Sequence, residues 1–202
     1  MRLFLLNYMT KGGKIMAKFI LICGPQAVGK MTVGQELAKI TNLKFMHNHE
    51  TIDLPMKFFE YGSEPRKRLT ELFRFSIFEE VAKSDLEGMI FTVMWCFERQ
   101  EDFEWAEKIK EIYKREDGDF YIVELETTLE ERLKRNKTEN RLKHKPTKRD
   151  LKFSENELLK SLDKHRLNSY PGEIKEENYL RIDNTNISAE NVAKLIKERF
   201  EL

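Results

Sequence analysis

Cysteines and long apolar runs are both scarce in this sequence. Two cysteines among 202 residues cannot form the disulfide framework of a small secreted domain, so we expect a reducing, cytoplasmic setting. No apolar stretch reaches the roughly 18 residues that argue for a membrane-spanning helix. The best run, at 88–97 (GMIFTVMWCF), has the length of a buried strand. The sequence therefore predicts a protein without a membrane partner.

An excess of either charge is missing as well. Lys and Arg number 36 against 35 Asp and Glu, which gives a formal net charge of +1. This balance excludes a protein-wide field for binding polyanions, so any contact with nucleic acid must use a local patch. Hydrophobic residues make up 40% and charged residues 35%, as is typical of a globular chain rather than a disordered one. The length fits one domain, as a monomer or a homodimer.

The first fifteen residues stand apart from the pattern that follows. A second methionine, Met16, leads directly into an apolar strand. The KGGK sequence at 11–14 can be encoded by a purine-rich ribosome-binding sequence at a suitable distance from the Met16 codon. We expect residues 1–15 to be either a translated leader or a disordered extension, and residues 16–202 to form a single domain.

Five short apolar runs alternate with stretches of helical periodicity. The predicted strands lie at 18–23, 44–46, 88–96, 120–125 and 179–182. Helices are predicted at 30–40, 66–83, 102–116, from 127 or 128 onwards, and at 188–200. The long helix at 66–83 is predicted to bury a face formed by Leu69, Leu72, Phe73, Ile77, Phe78 and Val81. Apolar strands that alternate with helices indicate an α/β fold whose parallel sheet is covered on both faces.

A glycine-rich loop between the first strand and the first helix carries the strongest motif. Residues 24–32 (GPQAVGKMT) fit G-x-x-x-x-G-K, with the threonine one place late. Two glycines let the backbone curl so that its N–H groups point at phosphate oxygens, and the helix start adds its positive end. The predicted nucleotide-binding residues of this loop are Gly24, Pro25, Gln26, Ala27, Val28, Gly29, Lys30, Met31 and Thr32.

The loop resembles that of P-loop kinases, and most of all the Gly-Pro-x-x-x-Gly-Lys-Gly-Thr loop of adenylate kinases. The resemblance implies a three-layer fold with a five-stranded parallel sheet, ATP with Mg²⁺, a pocket for a small acceptor and a mobile lid. Many P-loop proteins hold Mg²⁺ with a hydroxyl directly after the lysine, and Met31 removes that ligand. We therefore expect the nucleotide phosphates to hold most of the Mg²⁺ coordination. The candidate protein ligands are Thr32, and Glu98 or Asp102 acting through water.

Residues 45–53 (FMHNHETID) are similar to the shikimate kinase stretch F-x-D-x-D-x-x-I-E, with both aspartates replaced by His47 and His49. In that family the first aspartate supports the metal and the second contacts the substrate hydroxyl. Imidazole is a general base near neutral pH but a poor ligand for Mg²⁺. We therefore expect an acceptor other than shikimate, with His49 or Asp53 taking its proton. His47, His49 and Arg99 are the predicted acceptor contacts, and the alternative is that one histidine hydrogen-bonds the strand end.

A basic segment at about 132–153 is the candidate lid. Residues 132–152 contain ten lysines and arginines against two acids. By its position in the P-loop kinase pattern, Arg132 or Arg135 suits the base or the α- and β-phosphates, and Arg141 suits the transferring phosphoryl group. The alternatives are a solvated basic loop and a patch that contacts RNA or DNA.

Asn184 and Thr185 follow the last predicted strand, where P-loop kinases border the adenine, and both are predicted to contact the nucleotide. We predict an ATP-dependent phosphotransferase that acts on a small molecule, with Lys30, Arg141, His49 and Asp53 as its catalytic residues. Two alternatives remain: a nucleotide-dependent ATPase or switch protein without such an acceptor, and an RNA-directed kinase that uses the lid.

Overall fold

The apolar runs and the helices between them form a parallel sheet with covering helices. The computed structural model describes residues 10–11, 14–145 and 149–202. The strands are β1 (Thr10–Lys11), β2 (Lys14–Ile15), β3 (Lys18–Cys23), β4 (Lys44–His47), β5 (Gly88–Thr92), β6 (Asp119–Glu126) and β7 (Tyr179–Asp183). The helices are α1 (Lys30–Ile40), α2 (Asn48–Asp53), α3 (Glu64–Lys83), α4 (Gln100–Arg115), α5 (Leu129–Arg135), α6 (Glu139–His144), α7 (Leu151–Lys164) and α8 (Ala189–Phe200), with a 3-10 turn at Pro55–Lys57.

Strand β3 lies at the centre of a five-stranded sheet. The order is β4-β5-β3-β6-β7, and every neighbouring pair is parallel. The chain builds one side of the sheet with β4 and β5 and the other side with β6 and β7. Open α/β sheets bind ligands beyond the carboxyl ends of their strands, where the strand order reverses. The loop after β3 occupies that position, and the predicted α/β fold with a five-stranded parallel sheet is confirmed.

Alternating side chains of β3 divide the core into two halves. Phe19 and Leu21 belong to the half that α3 and α4 cover, where the ring of Phe19 lies 4.9 Å from that of Phe78. Ile20 and Ile22 belong to the half that α1 and α8 cover. All four strand residues are fully buried, because successive side chains of a strand point to opposite faces and both faces carry helices. This arrangement gives the predicted three layers.

Helix α3 buries a face that only partly matches the one predicted: Phe78 is fully buried and Val81 packs against the core, as expected. Leu72 and Ile77 are 56% and 39% exposed, whereas Arg74 is buried. The prediction was wrong for these two residues because a polar group occupies the buried face. The guanidinium of Arg74 is accommodated there by Thr51 and Glu71, to which it donates hydrogen bonds of 3.0 and 2.8 Å.

Three differences from the predicted elements bear on the site. Strand β5 ends at Thr92, so that residues 93–96 leave the sheet. Helix α2 follows β4 immediately, and α7 begins within the basic segment; neither helix was predicted. Both helices contribute residues to the cavity described below.

Two predictions fall partly outside the described residues. Strands β1 and β2 pair antiparallel, but residues 1–9 and 12–13 lie outside, so the division into a leader and a domain over 16–202 stays a prediction. The lid prediction likewise includes residues 146–148, which are not described. Among the helices that are described, none has the length and apolar character needed to cross a membrane.

Candidate active site

The glycine-rich loop adopts a curled backbone that its sequence permits. Gly24 and Gly29 have φ of +134° and +110°, and Ala27 has φ of 60°. These values lie in the region that favours glycine, so the alanine is strained. A Cβ on Gly24 would lie 2.4 Å from the carbonyl oxygen of Leu125, at the end of β6. The first glycine is therefore required both by its dihedral angles and by the close approach of the neighbouring strand.

Lys30 folds back over this loop. Its Nζ donates to the carbonyl oxygens of Gly24 and Pro25 at 2.6 and 2.7 Å. Burial lowers the pKa of Lys30 well below its usual value, and the nearby cations Lys145 and Arg141 lower it further. A bound anion would reverse both effects, since it would replace lost solvation and offset the neighbouring positive charges. The loop is thus arranged to receive phosphate oxygens.

Two arginines of α5 hold the loop from the other side. The Nε of Arg132 donates to the carbonyl oxygen of Gln26 at 2.8 Å, and the Nη1 of Arg135 donates to that of Val28 at 2.8 Å. Arg135 also donates to the carbonyl oxygen of Asn184 at 2.8 Å, while the side-chain amide of Asn184 donates to Val28 at 2.9 Å. These bonds connect α5, the loop and the end of β7. The Nη2 of Arg132 is buried, and no hydrogen-bond partner for it lies among the described residues.

A cavity of about 290 Å³ adjoins the loop and α8. Eight of the residues predicted to bind nucleotide line it: Ala27, Val28, Gly29, Lys30, Met31, Thr32, Arg135 and Asn184. Gly24 and Pro25 accept hydrogen bonds from Lys30 without lining the cavity. Arg132 does not line it, and Gln26 lines the larger cavity described below. Thr185 does not line it either, since its hydroxyl bonds Asp183 at 2.6 Å and Thr127 at 2.9 Å. We refer to this space as the nucleotide cavity.

Helix α6 of the basic segment closes one side of the nucleotide cavity. The side-chain amide of Asn140 donates to Gln35 at 3.0 Å and to Thr32 at 3.3 Å, which places α6 against α1. Arg141 lines the cavity, and its Nε is buried with no hydrogen-bond partner among the described residues. Burial lowers the pKa of Arg141 to about 10, which leaves the guanidinium charged at neutral pH. A half-buried guanidinium whose Nε has no partner among the described residues is suited to an anionic ligand.

A second and larger cavity, of about 760 Å³, lies on the other side of Lys30. Residues from the loop, α2, the end of β5, α3, α4 and α7 line it. Its lining shares four residues with that of the nucleotide cavity: Ala27, Lys30, Arg141 and Lys145. Three cations therefore stand where the two spaces meet. We refer to this second space as the acceptor cavity.

The two histidines at the junction of β4 and α2 have different surroundings. His49 lines the acceptor cavity, and its Nδ1 lies 3.6 Å from Oδ1 of Asp53, one turn further along α2. His47 is buried at the start of α2 and does not line the acceptor cavity. Its backbone N–H donates to Glu50 at 3.0 Å. Burial, aided by the charge of Lys145, lowers the pKa of His47 to about 4, so that its ring is neutral at physiological pH.

Arg99 and Glu98 lie away from both cavities. The side chain of Arg99 is 51% exposed at the start of α4, 3.6 Å from Glu101. Glu98 bonds Nδ1 of His165 at 2.5 Å. Asp102 does line the acceptor cavity, where it accepts from the backbone of Cys96 at 2.8 Å and burial raises its pKa.

The residues present suit phosphate better than they suit a metal ion. Mg²⁺ prefers oxygen ligands, usually including carboxylates. Thr32, Thr138 and Ser188 bring hydroxyl groups to the nucleotide cavity, but among its described lining residues there is no carboxylate. Bound Mg²⁺ would therefore depend mainly on the nucleotide phosphates and water.

Sequence reasoning missed several residues of the acceptor cavity. Glu71 and Arg74 of α3 form an ion pair at 2.8 Å, and the indole N–H of Trp105 donates to Glu71 at 2.7 Å. Lys145, in the basic segment, was counted as a cation without a role. The sequence signal that could have indicated the Glu71–Arg74 ion pair is the i,i+3 spacing of opposite charges beside apolar residues in a long helix.

No model of a known protein family matches the chain, and no curated protein matches it in sequence. Solved structures match it in fold. A protein of Chloroflexus aurantiacus with a provisional assignment as a kinase has a TM-score of 0.60 and 13% identity, over 91% of this chain and 98% of that one. Shikimate kinase from Acinetobacter baumannii, solved with shikimate, has a TM-score of 0.53 and 20% identity, over 94% and 96%. The tunicamycin resistance protein of Deinococcus radiodurans has a TM-score of 0.54 and 16% identity, over 92% and 96%.

These likenesses confirm, at the level of the fold, the resemblance to P-loop kinases that the glycine-rich loop predicts. Sequence identities this low support a shared fold, but they do not establish a shared activity or substrate. The chemistry must be argued from the residues that line the two cavities.

Proposed function

We propose that the protein transfers the γ-phosphate of ATP to a hydroxyl group of a small molecule. The observation that carries this proposal is the junction of the two cavities at Lys30, Arg141 and Lys145. Phosphoryl transfer builds negative charge between donor and acceptor, and positive groups at that point stabilise the transition state. A nucleotide on one side and an acceptor on the other would meet at these three cations.

Each group at the junction has a distinct task in this mechanism. The loop backbone and Lys30 hold the β- and γ-phosphates, and Arg141 neutralises the equatorial oxygens of the transferring group. The acceptor oxygen forms a bond to the γ-phosphorus while the bond to the β-phosphate oxygen breaks, and ADP leaves. His49 receives the hydroxyl proton, and the carboxylate of Asp53, with Oδ1 at 3.6 Å from Nδ1, stabilises the protonated ring by its negative charge. Mg²⁺, when bound with the nucleotide, supplies further charge neutralisation, and Thr32 is the candidate protein ligand.

The fold neighbours support this class of reaction. One of them carries the name shikimate kinase and was solved with its namesake ligand. Each matches more than nine tenths of this chain. We also propose that the protein works in the cytoplasm, where ATP is available.

A nucleotide-dependent ATPase or switch protein is the second candidate. The lack of a carboxylate among the described lining residues of the nucleotide cavity favours slow chemistry. An RNA-directed kinase is less well supported, because three cations of the basic segment face the interior. Arg132 and Arg135 donate hydrogen bonds to the glycine-rich loop, and Arg141 lines both cavities.

Transfer of label from γ-³²P-ATP distinguishes these candidates. The purified protein is incubated with labelled ATP, Mg²⁺ and a deproteinised metabolite extract, with added RNA in a parallel reaction. We expect label on a small organic molecule, and none with Lys30→Met. Label released only as inorganic phosphate would overturn the kinase in favour of the ATPase, and label on RNA would favour the RNA-directed enzyme.

A further inference from the structure

The acceptor cavity combines polar groups with a substantial apolar and aromatic surface, to which nine of its twenty described lining residues contribute. Trp95 and Trp105 line it from the β5–α4 side, and both are largely shielded from solvent. The other apolar lining residues are Ala27, Ile52, Met56, Tyr61, Val93, Met94 and Phe153. Side chains of this kind favour an apolar ligand surface, since burial against them removes apolar area from water.

The cavity is also large and has an apolar opening. Its volume of about 760 Å³ falls in the range of pockets that enclose ligands of drug size. Tyr61 and Phe153 line it yet are 81% and 53% exposed, which places both rings at its mouth. Ring surfaces at a cavity mouth would lose their contact with water when a ligand with an apolar body enters.

Two charged residues of the cavity wall, Arg74 and Glu71, are already paired with each other. Each nitrogen of the Arg74 guanidinium has an acceptor, namely the hydroxyl of Thr51, the carboxylate of Glu71 and the carbonyl oxygen of Asn48. Glu71 in turn accepts from Trp105. A polyhydroxylated acceptor needs a partner for every hydroxyl that it buries, and the part of the wall formed by the Arg74–Glu71 pair and the two indole rings meets that need poorly.

We propose that the acceptor cavity selects a molecule with a large apolar or aromatic body that presents a hydroxyl to the three cations at the junction. This inference rests on the proposed phosphotransferase function and narrows its substrate class. It sets this chain apart from an enzyme for a small polyol or hydroxy acid, because the apolar wall would discriminate against such compounds.

Intrinsic fluorescence can test the binding step separately from phosphoryl transfer. The sequence has two tryptophans, and both line the acceptor cavity. The protein, saturated with a non-hydrolysable ATP analogue and Mg²⁺, is titrated with apolar alcohols (androstanol, farnesol and 4-phenylcyclohexanol) and with polar ones (trehalose, gluconate and shikimate). We expect a saturable change in emission with the apolar set and none with the polar set.

Two variants assign the signal to the cavity wall. Trp95 also lines a third cavity, near Phe103 and Ile174, so a substitution of Trp95 would change two cavities. Met56 lines the acceptor cavity alone, and Met56→Gln is therefore the main variant. We expect its Kd for the apolar alcohols to rise about 10-fold, as is typical when one apolar contact is lost. Phe58→Ser is the matched control, since Phe58 is 75% exposed and does not line the cavity.

The outcomes separate this inference from the proposed function. Saturation by the polar set, absence of saturation by every apolar alcohol, or equal effects of Met56→Gln and Phe58→Ser would overturn the substrate class. Label transfer is scored in its own assay: if apolar alcohols bind as predicted while no acceptor receives γ-phosphate, the selectivity of the cavity stands and the phosphotransferase proposal fails.

Discussion

Replacing Arg135 tests whether α5 positions the glycine-rich loop. Arg135→Met removes the short bonds to the carbonyl oxygens of Val28 and Asn184, both at 2.8 Å, and the ion pair with Glu131. A hydrogen bond from a charged donor contributes about 1.5–3 kcal/mol, so the two carbonyl bonds set an upper limit of about 3–6 kcal/mol. The side chain of Arg135 is 21% exposed, and water will replace part of what is lost.

We therefore expect the free energy of unfolding to fall by about 2–3 kcal/mol, or Tm to fall by about 5–10 °C for a chain of this size. Arg135→Lys should recover little, because one ammonium cannot reach acceptors on two different segments in the way that the planar guanidinium does. Kd for ATP should rise in both variants, since the loop loses its support. Denaturant unfolding and calorimetric titration with ATP measure the two effects.

The matched control is Lys134→Met on the same helix. Lys134 is 65% exposed and pairs with Glu130 on the surface, so its replacement should change stability by less than about 0.5 kcal/mol. If Arg135→Met falls in the same narrow range, or if Arg135→Lys behaves like the wild type, the argument that Arg135 holds the loop is refuted.

Three further predictions follow from single residues. Lys30→Met should raise Tm of the ligand-free protein, because burial lowers the pKa of Lys30 and so disfavours its charged form. The increase in Tm that ATP causes in the wild type should disappear in this variant, and an unchanged increase would contradict the prediction. The pKa of His47 is about 4 in the folded protein against 6.5 in the unfolded chain, so the unfolded state binds more protons between these pH values. The free energy of unfolding should therefore fall by about 3 kcal/mol as pH falls from 6.5 to 4. His47→Asn should flatten this part of the profile of stability against pH, and an unchanged slope would refute the argument. Gly24→Ala should abolish ATP binding in a filter assay, because its Cβ would lie 2.4 Å from the carbonyl oxygen of Leu125, and normal binding would show that the loop tolerates the change.

The parts of the fold that the sequence predicts well are those governed by local patterns. The apolar run of β3, the glycine spacing and the helix start at Lys30 all lie within 24 consecutive residues, from 17 to 40. Local backbone preferences and burial determine such a segment, so the loop and its surroundings can be placed without knowledge of the rest. The sequence also places Arg132, Arg135 and Arg141 in the segment that approaches this loop.

The acceptor cavity could not be predicted in the same way. Arg74 reads as a surface charge in α3, and its burial depends on Thr51 and Glu71, which only the folded chain brings beside it. Similarly, Trp105 reads as part of an amphipathic helix, although its indole N–H reaches Glu71 of another helix. Sites assembled from several helices leave weak signals in any one of them.

The different surroundings of His47 and His49 show the same limit of prediction from sequence. His47 and His49 are equivalent in the sequence, separated by one residue, yet one is buried at a helix start and the other lines a cavity. The direction of each side chain is set by the change from strand to helix at Asn48, where α2 begins. Because that helix was not predicted, the burial of His47, which was predicted to contact the acceptor, could not be foreseen.

The central claim is that phosphoryl transfer takes place where the two cavities share their cations. The most direct test compares Arg141→Met with Lys143→Met, which lies on the same helix, is exposed and lines neither cavity. Turnover of γ-³²P-ATP is measured with saturating nucleotide in the presence of the metabolite extract. We predict that Arg141→Met lowers kcat by about 10³-fold or more while Kd for ATP changes by less than about 10-fold, and that Lys143→Met matches the wild type. Equal turnover by the two variants would contradict the account.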